Sequence, residues 1–151
     1  MKTAQLPVRI LLLSAIFFAS LSVLAAEDSE DKGSWRLVNY WSEWCSPCRK
    51  EIPMLNALRE ELESSGVRLV GVNFDDDPRD VTLSIASALG IRFPTLTREQ
   101  VEEYGMPAPS VMPTTYVVSP DNEVADTLIG LQSREQIVER LSRLGLLTDA
   151  P

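Results

Sequence analysis

The feature that most restricts this chain is a pair of cysteines three residues apart, in Cys45-Ser46-Pro47-Cys48, with no other cysteine and no histidine in the sequence. That inventory removes several uses of a close cysteine pair. A structural zinc centre takes four thiolate or imidazole ligands as a rule, and the chain lacks them unless carboxylates or a second chain contribute. Covalent haem attachment calls for His directly after the second cysteine, and position 49 is Arg. A disulfide that serves stability alone gains most from closing a long loop, and this spacing closes the shortest. Reversible dithiol–disulfide exchange is the use that remains.

The surrounding pattern says where the pair sits. Trp35 to Trp41 reads as a buried strand, with Leu37, Val38, Tyr40 and Trp41 supplying its bulk. From Ser46 the period becomes helical: Ile52, Leu55, Leu58 and Leu62 share a face, Arg49, Lys50, Glu60, Glu61 and Glu63 lie elsewhere, and Gly66 suits the stop. Cys45 is therefore predicted at a helix N-terminus, where unpaired N–H groups and the helix dipole favour a thiolate. Cys48, a turn further in, is expected to be less exposed, so Cys45 attacks and Cys48 resolves. Pro47 suits the first turn, and Pro53 predicts a kink.

Val67 to Phe74 is a second strand of the continuous apolar kind found in parallel sheets. Asp77-Pro78 starts a helix containing Val81, Ile85, Ala86 and Leu89, which Gly90 ends. An extended piece from Phe93 to Leu96 leads to a capping box, Thr97 to Gln100, and a brief helix up to Tyr104. After the Pro-rich loop Met106 to Pro113, Thr114–Ser119 and Val124–Ile129 flank Pro120, Asp121 and Asn122 as an antiparallel hairpin. The sheet is thus mixed. Ser133 to Leu144 closes the chain as a helix with a Ser133/Gln136 capping box, a stripe of Ile137, Val138, Leu141 and Leu144, and Gly145 as its stop.

At the other end, Lys2 and Arg9 precede an apolar run from Ile10 to Leu24, short of the roughly 20 residues of a membrane span. Residues 1–25 read as a secretory signal peptide cut after Ala25 or Ala26, with an uncleaved anchor as the alternative. Both place the remainder outside the cytoplasm. Residues 26–34 form an acidic leader, and 35–148 a single domain. Loss of Lys2 and Arg9 takes the formal charge from −8 to −10, which argues against nucleic acid and, unless the signal segment is retained, membrane as partners.

The run from Trp41 through Trp44-Cys45-Ser46-Pro47-Cys48-Arg49-Lys50-Glu51-Ile52-Pro53 resembles the active-site segment of the thioredoxin superfamily, and more closely its exported TlpA/ResA-like branch. Pro113-Thr114-Thr115 before Tyr116-Val117-Val118 matches that branch's later motif, and the resemblance spans about Trp35 to Gly145. It implies an α/β thioredoxin-like three-layer sandwich: a central mixed sheet, helices on both faces, inserted elements from Asp77 to Tyr104, and a shortened N-terminal hairpin. It also implies a cis Pro113 facing the cysteines, with the Met112 backbone pairing with an extended substrate beside Trp44, Ser46 and Pro47. Asn39 stands where thioredoxins keep a buried Asp. The acceptor for the Cys48 proton is then sought among Asp76, Asp75 and Glu51, with Asp76 favoured for its place after the second strand.

The function implied is periplasmic reduction of disulfides in exported proteins, for example in cytochrome c maturation. Electrons would come from a membrane thiol donor of the DsbD or CcdA kind, with no cofactor or metal beyond the cysteines. Glu43 and nearby acids oppose a thiolate at Cys45 and so favour the reducing direction. The alternatives are a thiol oxidant or isomerase, a thiol peroxidase suggested by Ser42-x-x-Cys45, and a binding module that merely keeps the pair.

Overall fold

The computed structural model describes residues 33–147, so the signal segment and all but the last two residues of the leader lie outside the described residues. The elements run β1 (Trp35–Trp41), α1 (Ser46–Ser64), β2 (Val67–Asn73), α2 (Arg79–Ala88), α3 (Arg98–Glu103), β3 (Thr114–Val118), β4 (Val124–Ile129) and α4 (Arg134–Arg143). The strand order is β2-β1-β3-β4. β1 pairs parallel to β2 and antiparallel to β3, and β3 pairs antiparallel to β4. This is the mixed sheet expected from the hairpin and the first crossover.

Alternation along the strands divides the core into two layers. On one face Leu37, Leu69 and Val117 meet Leu55, Leu58 and Leu62 of α1 and Ile137 and Leu141 of α4. On the other, Val38, Tyr40, Val70, Val72, Tyr116 and Val118 are covered by Leu96, Tyr104 and Met106, with Val101 of α3 packed against them. Helices therefore lie on both faces. α1 passes through Pro53 as one helix and stops at Ser65, with Gly66 at φ +78°. Both expected capping boxes form, at Thr97/Gln100 and Ser133/Gln136. Thr95 makes an isolated parallel bridge with Gly71, so the extended piece before α3 leans on the free side of β2.

Two helices differ in detail from the apolar pattern. α2 buries Thr82 and Ala86 and leaves Val81 and Leu83 exposed. The reason is a polar contact: the Thr82 hydroxyl donates to the Asp77 carbonyl and accepts from Asn73 Nδ2, turning that face toward the end of β2. In α4, Ile137 and Leu141 are buried and Val138 is partly so, while Leu144, the C-cap, is exposed.

Gly71 is a packing requirement. A Cβ there would lie 2.8 Å from Trp41 Nε1 and 3.0 Å from Phe93 Cε2, both on buried rings. Overpacking of this kind costs about 2 kcal/mol. Gly71→Ala is therefore expected to lower the denaturant midpoint with an unchanged slope, and an unmoved midpoint would mean the Trp41 and Phe93 rings can step aside.

Candidate active site

The C-terminal ends of β1 and β2 and the N-terminal end of β3 meet at one edge of the sheet, and the cysteine pair sits there. Cys45 is the N-cap of α1, in extended conformation at φ −82° and ψ 96°, and its sulfur accepts the Cys48 N–H at 3.2 Å. A helix cap is usually a Ser, Thr, Asp or Asn oxygen. A sulfur in that place receives the same N–H and the positive end of the helix dipole, which favours its thiolate once the pair is reduced. In this structure Cys45 and Cys48 form a disulfide with Cα atoms 5.2 Å apart.

The two sulfurs differ in access. Cys48 is 1% exposed and clusters with Trp41 and Ala86, while Cys45 is half-buried and, like Ile85, Leu89 and Met112, packs against that cluster. Trp44, next to Cys45, is 82% exposed. Ser46 is exposed and Pro47 half-buried in the first turn of α1. The Met112–Pro113 peptide is cis, Met112 packs on the apolar cluster that holds Cys48, and the buried Pro113 carbonyl accepts Gly130 N–H at 2.8 Å. The structure thus brings together Cys45, Cys48 and Met112, with Trp44, Ser46 and Pro47 following in chain and Pro113 joined to Met112.

The approach to Cys45 is fixed by a short polar relay. Ser42 Oγ donates to Asp75 Oδ2 at 2.5 Å and accepts the Trp44 N–H at 3.3 Å, and Cys45 N–H bonds the Ser42 carbonyl at 3.2 Å. The hydroxyl that suggested a peroxidatic motif is engaged in holding this turn.

The carboxyls divide sharply. Asp76 takes a left-handed φ of +57°, is exposed and pairs with Arg98. It lines a cavity of about 610 Å³ with Tyr40, Val72 and Met106, residues of the sheet face away from α1. The expectation of a buried acid there is corrected, because the left-handed turn after β2 carries the side chain out to Arg98. Glu51 is the buried one, at 1% exposure. It stands three residues after Cys48 and shares its helix face. Its Oε2 accepts Asn39 Nδ2 at 3.1 Å and its Oε1 accepts the Gln132 N–H at 2.9 Å. Burial pushes the Glu51 carboxyl above the ordinary range, and the bonds from Gln132 and Asn39 pull it part of the way back. Asn39 Nδ2 also donates to Thr115 Oγ1 at 2.9 Å.

Sequence reasoning named Glu51 without favouring it, and missed Thr115 and Gln132. For Glu51 a signal existed: positions 48, 51, 52, 55, 58 and 62 form the buried stripe of α1. Gln132 acts through its backbone, which no side-chain pattern reveals. Among the described residues there is no cluster of side chains suited to a metal ion and no helix long and apolar enough to cross a membrane.

Comparison with known proteins places this arrangement. A family model described as the AhpC/TSA family matches residues 23–127. The thiol-disulfide oxidoreductase ResA of Bacillus anthracis is 28% identical over 114 residues, 75% of this chain and 65% of its own length. ResA of Bacillus subtilis (strain 168) is 29% identical over 114 residues, 74% of this chain and 62% of its own. The chain thus spans under two thirds of the length of these relatives. The crystal structure of StoA from Bacillus subtilis superposes with a TM-score of 0.56 at 27% identity, covering 72% of this chain and 82% of StoA. A putative thioredoxin from Neisseria meningitidis shares the fold, with a TM-score of 0.61 at 18% identity over 80% of each chain.

Proposed function

The chain belongs to the AhpC/TSA family, and we propose that within it this protein is a thiol-disulfide oxidoreductase that reduces disulfides in other exported proteins. One observation carries the reading: a half-buried sulfur that caps α1 and accepts the Cys48 N–H, with the second sulfur buried one turn behind. ResA, similar over three quarters of the chain, is named a thiol-disulfide oxidoreductase.

The geometry supports the following chemistry. The Cys45 thiolate attacks one sulfur of a client disulfide, forming a Cys45–client bond and releasing the other client sulfur as a thiolate. Cys48 gives its proton to the Glu51 carboxylate and attacks Cys45 Sγ. The Cys45–Cys48 bond forms, the Cys45–client bond breaks, and the second client sulfur leaves. Two electrons pass from the dithiol to the client. Glu51 suits the proton-accepting role better than Asp76, because it is buried on the Cys48 face of α1 with its pKa raised by burial, whereas Asp76 is exposed and turned out to Arg98. Trp44, Ser46 and Pro47 flank the client sulfur, and the Met112 backbone beside cis Pro113 pairs with an extended client segment.

The reading extends to place and partners. The signal-like N-terminus supports export to the periplasm, where an oxidised pair needs a membrane thiol donor of the DsbD or CcdA kind to be reset, and apocytochrome c is a fitting client. The reduction potential tests the direction. A value near thioredoxin's, about −270 mV, is expected from equilibration with glutathione, and one near DsbA's, about −120 mV, would make the protein an oxidant instead.

A further inference from the structure

The mechanism above assigns no task to Asn39, yet this residue is 1% exposed and sits on β1 directly beneath α1. Its amide nitrogen makes two hydrogen bonds, to Glu51 Oε2 at 3.1 Å and to Thr115 Oγ1 at 2.9 Å. Asn39 and Thr115 are register partners across β1 and β3, and Thr115 lies two residues after cis Pro113. A primary amide carries two N–H donors on one nitrogen. One is spent on the hydroxyl and the other on the carboxyl.

We propose that Asn39, anchored by Thr115, is a positioning residue that holds the Glu51 carboxyl in its proton-accepting form for Cys48, a role that rests on the reductase reading above. The Glu51 carboxylate, which can only accept, decides which way the amide points, and Thr115 Oγ1 anchors the same nitrogen through its second N–H. Were the amide reversed, its carbonyl oxygen would face the Glu51 oxygen and the bond to Glu51 would be lost, while the Thr115 hydroxyl could still donate to it. With the amide held, Glu51 receives a donor on each oxygen, from Asn39 and from the Gln132 N–H. Donors to both oxygens favour the carboxylate over the acid, which a proton acceptor needs in a site whose burial favours the acid.

The groups facing Glu51 leave this amide as the adjustable one. Asn39 reaches it from β1, and the Gln132 N–H reaches it from the loop before α4, and neither titrates. On its own helix the neighbours are Cys48, one turn earlier, and the exposed Arg49 and Lys50. An Asp at position 39 would place a second carboxyl about where the amide nitrogen now lies, and two carboxyls so close share one proton.

The full chain, reduced and mixed with an aromatic disulfide whose thiol product is coloured, reports the two steps separately. The first release marks attack by Cys45 and the second marks resolution by Cys48. In Asn39→Leu the pH midpoint of the second release is expected to rise by about one unit, the size of a lost bond to a charged group, with the first release unchanged. Asn39→Asp should spread the second release over two steps. Thr115→Ser, which keeps the acceptor, should retain the parent midpoint, whereas Thr115→Val should move it upward. A second release with the parent midpoint in both Asn39→Leu and Thr115→Val overturns the role, whatever happens to their stability. If the parent protein gives no second release at all, the reductase reading itself fails and this role falls with it.

Discussion

In Cys48→Ser, catalytic turnover is expected to fall by at least about three orders of magnitude, and the protein should accumulate as a covalent adduct with its clients. The size follows from proximity. A resolving thiol held beside the bond it attacks acts at an effective concentration of about 10⁵ M or more, and an external thiol at millimolar concentration cannot replace it. Cys45→Ser, by contrast, should give no adduct, because Cys48 is 1% exposed and has no access to a client. Non-reducing gels and intact mass of each variant after incubation with a disulfide-bonded substrate make the check. An adduct on Cys45→Ser, or parent turnover in Cys48→Ser, would reverse the assignment of the two sulfurs.

Glu51→Gln is the second large effect. The parent carboxylate accepts on both oxygens, from Asn39 Nδ2 and from the Gln132 N–H. A carboxamide has a single acceptor oxygen, so its NH₂ must face one of those donors, and resolution by Cys48 loses its base. A loss of about 100-fold in the resolving step is expected, read from the second release of the coloured thiol, while the first release stays near the parent rate. Stability carries an independent signature. The folded-state pKa of Glu51 is raised, first by burial, so the native chain holds this proton more tightly than the unfolded one. The associated stability is fully present below the unfolded value near 4.5 and is lost as pH rises through the folded value. The stability of the parent relative to Glu51→Gln should therefore decline as pH climbs from about 4.5, and parallel curves would show that Glu51 is not the group responsible. Asp76→Asn, at an exposed carboxyl held by Arg98, should leave both readouts in place.

Much of this architecture was legible in the residues, because the local signals agree with one another. The strand to Trp41, the helix from Ser46 with its stop at Gly66, both capping boxes and the turn between β3 and β4 all lie where period and capping chemistry put them. One detail of α2 was not legible. Ile85, Ala86 and Leu89 pack inward on the Cys48 cluster as their spacing suggested, but a side-chain bond from Thr82 to residues 73 and 77 turns Thr82 inward and leaves Val81 exposed. Such a contact depends on where the strand ends in space, which periodicity does not contain. The same holds for the acid. Proximity in sequence to the end of β2 favoured Asp76, but a left-handed residue there reverses the direction of the side chain. Glu51 reads as one more charge on a charged helix until its place on the buried stripe is counted. Its second donor, the Gln132 N–H, comes from 81 positions away through backbone alone.

The first turn of α1 shares its terminal fastening with the reaction. The atom that receives the Cys48 N–H is the atom that is alkylated by a trapping reagent or bonded to a client. Each time Cys45 is so engaged its charge is cancelled, and the grip on the Cys48 amide slackens while Cys48 is the residue that must move. The opening turn of the helix is thus held by a neutral sulfur during the interval in which the resolving thiol has to swing, and regains a charged acceptor only when the pair is reduced to the dithiol. Amide hydrogen exchange at Cys48 should accordingly be faster in a stable Cys45 adduct than in the free dithiol, a timing signal written into the helix end itself.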